Sequence, residues 1–183
     1  MDRETRVAWL VDHYQRPRHR GALADADAQV PGGNPGCGDI ITMYLKATEG
    51  EARVEAVSFE GVGCTLSQAA ASILAERINR QHPTFDEILS FSYEEMLDLL
   101  GRGIAESRPQ CATLALGTLK GAVKTVEMNR KLRAAGHTDV EIAELRRAVA
   151  AQAAGTGLVI GEGAAAAAAA PPSHPRPASL SAS

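Results

Sequence analysis

The spacing of the apolar residues changes once along this chain, and that change sets its architecture. Ile41, Met43 and Leu45 alternate with Thr42, Tyr44 and Lys46, the two-residue period of a strand with one buried face. Thr48-Glu49-Gly50-Glu51 reads as a turn into a second strand over 53–60, so a hairpin is expected. Within that second run Val54 and Ala56 fall on one face and Val57 and Phe59 on the other, a conflict that a β-bulge or two covered faces would resolve. From Leu66 the period becomes helical. Leu66, Ala69, Ala70, Ile73, Leu74 and Ile78 recur three and four residues apart, predicting a helix over 65–80 with a small-residue face. The expected fold class is α+β, a small antiparallel β-sheet with helices packed on one face.

The remaining elements follow from local signals. Val7, Leu10, Val11 and Tyr14 recur at helical spacing before Pro17, predicting a first helix that packs on the domain. Residues 21–38 are rich in Ala, Asp, Gly and Pro and read as a loop. Thr84 with Glu87, and Ser92 with Glu95, have capping-box spacing and mark two short helices before a break at Gly101 to Gly103. Cys111 starts a helix with Leu116, Leu119, Val123 and Val126 as its buried stripe, ending near Ala135-Gly136. Thr138 and Glu141 cap a last helix to about Ala150. Beyond Gly155 the chain runs into an alanine tract, prolines and serines, which bury too little apolar area to offset their ordering entropy. The expected division is a domain over 1–135, an additional helix within 136–155 and a disordered tail over 156–183.

Charge narrows the partners. The 183 residues carry 19 basic and 22 acidic side chains, a net charge of −3, without the dense basic face that phosphate backbones require, so no nucleic-acid partner is expected. The basic knot Arg16-Pro17-Arg18-His19-Arg20 reads as a solvated turn. Three cysteines cannot all pair, and Met1-Asp2-Arg3-Glu4 leads into an amphipathic stretch without a signal-peptide core, so a reducing, cytoplasmic setting is expected. No apolar run approaches the roughly 20 residues that span a bilayer, so no membrane role is expected.

The chemistry sits on those cysteines. Cys37 lies between Gly36 and Gly38 with Asp39 two residues on, while Cys64 and Cys111 each precede a helical pattern. Glycine-flanked loops and helix N-termini expose thiols and favour the thiolate, the form that attacks and ligates. Cys37 and Asp39 lead into a strand, where alternate residues share a side. Three thiolates and one carboxylate make four possible ligands, brought together only by tertiary folding. Such spacing is unlike a zinc ribbon, whose ligands come in closely paired knuckles. Ser67 reads as an early helix residue that helps the cap, and His13, His82, His137 and His174 as surface or packing residues.

Four segments, in order, carry a resemblance: Asp12-His13-Tyr14-Gln15-Arg16-Pro17-Arg18, Asn34-Pro35-Gly36-Cys37-Gly38-Asp39, Gly61-Val62-Gly63-Cys64-Thr65-Leu66-Ser67 with Ala69 to Ser72, and Cys111-Ala112-Thr113-Leu114-Ala115. Together, over roughly residues 5 to 130, they resemble the U-type iron–sulfur cluster assembly scaffolds: IscU, the NifU N-terminal domain and SufU. The resemblance implies a scaffold that builds a labile [2Fe–2S] cluster from iron, electrons and sulfur delivered by a cysteine desulfurase, then passes it to apo-proteins. Cys37, Asp39, Cys64 and Cys111 match the family's ligand positions, and Cys37 and Cys111 are the candidate sulfur acceptors.

Two departures qualify what is implied. Where IscU-type members have a histidine before the third cysteine, this chain has Gln110, and Ile104 to Arg108 replace their Leu-Pro-Pro-Val-Lys chaperone-binding stretch. Dedicated Hsp70-type handover is therefore not expected. The stretch from Cys111 to Ala115 is similar to SufU, which implies an alternative, a zinc-dependent sulfurtransferase accepting sulfur from its desulfurase. The interval between Cys64 and Cys111 is short, as in IscU and NifU. A structural zinc module is a third reading, and three thiolates with a carboxylate suit zinc as well as iron–sulfur chemistry.

Overall fold

The computed structural model describes residues 1–155. In chain order the elements are α1 (Arg3–Gln15), β1 (Ala28–Asn34), β2 (Asp39–Ala47), β3 (Val54–Val62), α2 (Thr65–Gln81), α3 (Phe85–Ser90), α4 (Tyr93–Leu100), α5 (Arg102–Ala105), α6 (Pro109–Ala134) and α7 (Asp139–Gly155). The strands form one antiparallel sheet in the order β1-β2-β3. Helices α2 and α6 cover one face, α6 over β1 and β2 and α2 over β3, and α1 packs on the far side of α2. The α+β architecture expected from the apolar periods is the observed one. The tail expected over 156–183 lies outside the described residues.

The two-residue period of β2 buries Ile41, Met43 and Leu45 completely against α2 and α6. The conflict in β3 is resolved by a bulge: Lys46 pairs with Ala56 but Ala47 with Val54, so Glu55 is skipped and Val54 turns to the same buried face as Val57 and Phe59. Thr84 and Ser92 each close a full capping box, with Glu87 and Glu95, at the starts of α3 and α4. Thr138 and Glu141 exchange the same pair of bonds ahead of α7, the Thr138 N–H donating to Glu141 Oε2 and the Glu141 N–H to Thr138 Oγ1. Gly101 ends α4 at φ 99°, and the expected break continues as the single turn α5 before Pro109 opens α6.

Two expectations are corrected. Residues 28–34, read as loop, form β1. It is an edge strand, where the missing N–H of Pro31 is tolerated, and its Gly32 serves contact rather than turning. A Cβ on Gly32 would stand 2.0 Å from Thr118 Oγ1 of α6, so only glycine lets the helix lie this close. In α1, the stripe of Val7, Leu10, Val11 and Tyr14 does not all turn inward. Leu10 and His13 are buried while Val7 and Tyr14 are exposed, because α1 meets α2 through a polar contact, His13 Nδ1 to Ser72 Oγ at 2.8 Å. Beyond α1, residues His19 to Gly21 bond the backbone of Phe59 along the free edge of β3, covering that edge. No described helix is long and apolar enough to cross a membrane.

Candidate metal centre

Three elements deliver sulfur to one end of the sheet. The β1–β2 turn carries Cys37. Its N–H and that of Gly38 donate to the Asn34 carbonyl at 3.1 and 2.9 Å, and Gly38 takes φ 70°, which favours glycine. Cys64 is the N-cap of α2. Cys111 lies in the first turn of α6, two residues after Pro109. Asp39, the first residue of β2, is 1% exposed and stands among them.

Cys37 Sγ, Cys111 Sγ and an Asp39 carboxylate oxygen all lie within 4.8 Å of one another, a span that lets one ion or one small cluster touch all three. The two sulfurs are 3.0 Å apart. Cys64 joins through Asp39: its N–H donates to Oδ1 at 2.9 Å and its thiol to Oδ2 at 3.4 Å. The donor set fits soft-metal chemistry, three sulfurs and one oxygen in a small, mostly sheltered space. The backbone makes room for it, since a Cβ on Gly63 would stand 2.8 Å from Asp39 Oδ1 and 2.7 Å from Ser67 Oγ.

The thiols differ in access: Cys37 is exposed, Cys64 half-buried and Cys111 buried. Burial pushes the Cys111 thiol well above its usual range, and hydrogen bonds with Cys37 and Asp39 act in the same direction. The acidic thiolate expected at a helix N-terminus is thus not what this position gives without a cation, which would reverse the balance. Burial also raises the Asp39 carboxyl, but the Cys64 N–H, the Cys111 and Cys64 thiols and the Ser67 hydroxyl outweigh it and hold it below the ordinary carboxylate value.

The predicted residues Cys37, Asp39 and Cys111 meet directly, and Cys64 meets Asp39. None of the described histidines belongs to the group within that span. His13 packs between α1 and α2, in line with the sequence reading. Ser67 does not cap α2, which has no side-chain cap hydrogen bond; its Oγ donates to the Cys64 carbonyl at 3.0 Å and lies 3.7 Å from Cys64 Sγ. Asn34 was missed as a site residue: its amide donates to Cys37 Sγ at 3.2 Å and reaches Cys111 Sγ at 3.6 Å. Its signal is an Asx residue opening the turn that carries Cys37. A cavity of about 540 Å³ between α2 and α3, lined by Arg77, Ile78 and Phe91 among others, contains none of the cysteines.

The fold is that of a known class of proteins. The chain belongs to the NifU-like N terminal domain family, whose model matches residues 7–133. The iron-sulfur cluster assembly scaffold protein IscU of Thermotoga maritima is 35% identical over 133 residues, covering 64% of this chain and 91% of that protein. The zinc-dependent sulfurtransferase SufU of Bacillus subtilis is 34% identical over 133 residues, covering 63% and 87%. The N-terminal part of a nitrogen-fixing NifU-like protein from Brucella abortus shares the fold, with a TM-score of 0.57 at 20% identity over 66% of this chain and 92% of that one.

Proposed function

We propose that this chain is a scaffold on which iron and desulfurase-derived sulfur are assembled into a labile [2Fe–2S] cluster that is then passed to apo-proteins. The observation that supports this most is the convergence of three cysteine sulfurs and the Asp39 carboxylate at one end of the sheet. The cluster is cargo, and Cys37, Asp39, Cys64 and Cys111 are its proposed ligands. One hard oxygen among three soft thiolates holds such a cargo less firmly than four thiolates would, which suits release.

Exposure favours Cys37 over the buried Cys111 as the first sulfur acceptor. The Cys37 thiolate attacks the outer sulfur of the desulfurase's cysteine persulfide. A new S–S bond forms on Cys37, the desulfurase S–S bond breaks, and its cysteine leaves as thiolate. Converting that sulfane sulfur to sulfide takes two electrons from a ferredoxin-type donor. The N-termini of α2 and α6 place partial positive charge beside the sulfurs, and Asp39 and Cys111 form the buried side of the site while Cys37 faces solvent.

A zinc-dependent sulfur acceptor is the second reading, supported by the likeness to SufU. It uses the same ligands and the same persulfide step. A purely structural zinc module is less well supported, because the apolar core from Ile41 through Leu74 to Val126 is extensive and the proposed ligands lie outside it, at one end of the sheet. The proposed scaffold domain is 1–135, with α7 as an addition, acting in a reducing cytoplasm without a dedicated Hsp70-type handover. Anaerobic purification followed by iron, zinc and acid-labile sulfide analysis tests the choice. Iron and sulfide in equal amounts with visible charge-transfer bands support the scaffold; one zinc per chain without sulfide supports the alternative.

A further inference from the structure

Asn34 ends β1, faces Asp39 across the ladder and is 7% exposed. Its amide nitrogen carries two protons, and two sulfurs stand within reach, Cys37 Sγ at 3.2 Å and Cys111 Sγ at 3.6 Å. The other end of the amide is tied down, since Oδ1 accepts the Gly36 N–H at 3.2 Å. That bond assigns the orientation. A flipped amide would set an acceptor against both sulfurs and a donor against the Gly36 N–H. The backbone oxygen of the same residue holds the Cys37 turn. One residue therefore shapes the loop and presents its donors to two of the three thiols.

We propose that Asn34 is a positioning residue that delivers its two amide protons to the Cys37 and Cys111 sulfurs and thereby sets the electron density those sulfurs offer to a bound metal. This rests on the ligand assignment above. An N–H···S bond to a metal-bound thiolate draws density off the sulfur. It raises the energy of sulfur-to-metal charge transfer and tunes metal affinity, as partners of first-shell ligands generally do. Because one amide serves two ligands, it also fixes the separation of their sulfurs before metal arrives.

Cobalt(II) alone, added without oxygen to the reduced full-length chain, tests this. In Asn34→Ala the thiolate-to-cobalt bands are expected at lower energy, with affinity reduced about 10- to 100-fold and an unchanged circular dichroism spectrum. Bands and affinity equal to those of the unmodified chain would overturn the proposal. A second measurement needs no variant and stands if Asn34→Ala does not fold. In the chain loaded with an NMR-active cadmium isotope, the Asn34 amide protons are expected to couple to the metal nucleus through the N–H···S bonds and to shift downfield. Absence of both effects sinks the idea. If the unmodified chain binds neither ion, the ligand assignment fails and takes this inference with it. If it binds both while Asn34 stays silent, only the role of Asn34 falls.

Discussion

Asp39 grips Cys64 at two atoms, its Oδ1 on the backbone N–H at 2.9 Å and its Oδ2 on the thiol at 3.4 Å. This ties the start of β2 to the start of α2, so one carboxylate both builds the site and belongs to it. Asp39→Ala removes a charge-assisted bond and is expected to cost about 2 kcal/mol of apo-protein stability. It also removes the weakest proposed ligand. Transfer of the cluster to an apo-ferredoxin is then expected to slow, because the easily displaced oxygen through which an acceptor thiolate enters is gone, and transfer as fast as before or faster would contradict the ligand role.

The three cysteines are expected to separate metal binding from folding. Cys37→Ser, Cys64→Ser and Cys111→Ser should each lose most bound metal. Exposed Cys37 should tolerate the change without loss of stability, whereas a hydroxyl at the buried Cys111 should cost about 1 to 2 kcal/mol. Metal content and thermal melts of the three variants check both halves. Full metal content in one variant would remove that cysteine from the site.

Gly63 is where a single methyl group should reach the chemistry. A Cβ there would lie 2.8 Å from Asp39 Oδ1, while one on Gly103 would meet nothing within 4 Å. Gly63→Ala is expected to displace the carboxylate and weaken zinc binding by about tenfold or more; Gly103→Ala should leave it unchanged. Chelator competition with zinc measures the difference.

His13 should give the apo-protein a pH dependence. Burial lowers its pKa and Arg18 acts in the same direction, against smaller opposing effects of Glu76 and Asp12. The unfolded chain therefore binds the proton more readily. Stability should be full above the unfolded value of 6.5 and fall as pH drops below it. In His13→Gln that decline should shrink, as urea melts across pH would record. An equal slope in the variant would exclude His13 as its source.

What the sequence made legible was local or periodic. The capping boxes at Thr84, Ser92 and Thr138 lie within four-residue windows, and β2 declares itself through Ile41, Met43 and Leu45. The bulge at Glu55 could be anticipated because Val54 and Val57 cannot share a face in a regular strand. β1 was illegible because its Gly32 answers to Thr118 on a distant helix, a contact with no local trace. Val7 and Tyr14 continue a helical period that α2 does not use. At the site, the types of the converging residues and their order along the chain were readable. That Cys111 would be buried and Asn34 shared between two sulfurs depends on how α6 meets the β1–β2 turn.

The most direct test of the scaffold is anaerobic incubation of the reduced chain with a catalytic amount of cysteine desulfurase, cysteine, ferrous iron and a ferredoxin-type reductant. The scaffold account predicts that the chain gains iron and acid-labile sulfide in equal amounts, develops sulfur-to-iron charge-transfer bands, passes both to an apo-ferredoxin, and is blocked by prior zinc. A chain that keeps zinc, forms no cluster, accelerates the desulfurase only when zinc-loaded and accumulates a persulfide on Cys37 would contradict it and establish a sulfurtransferase.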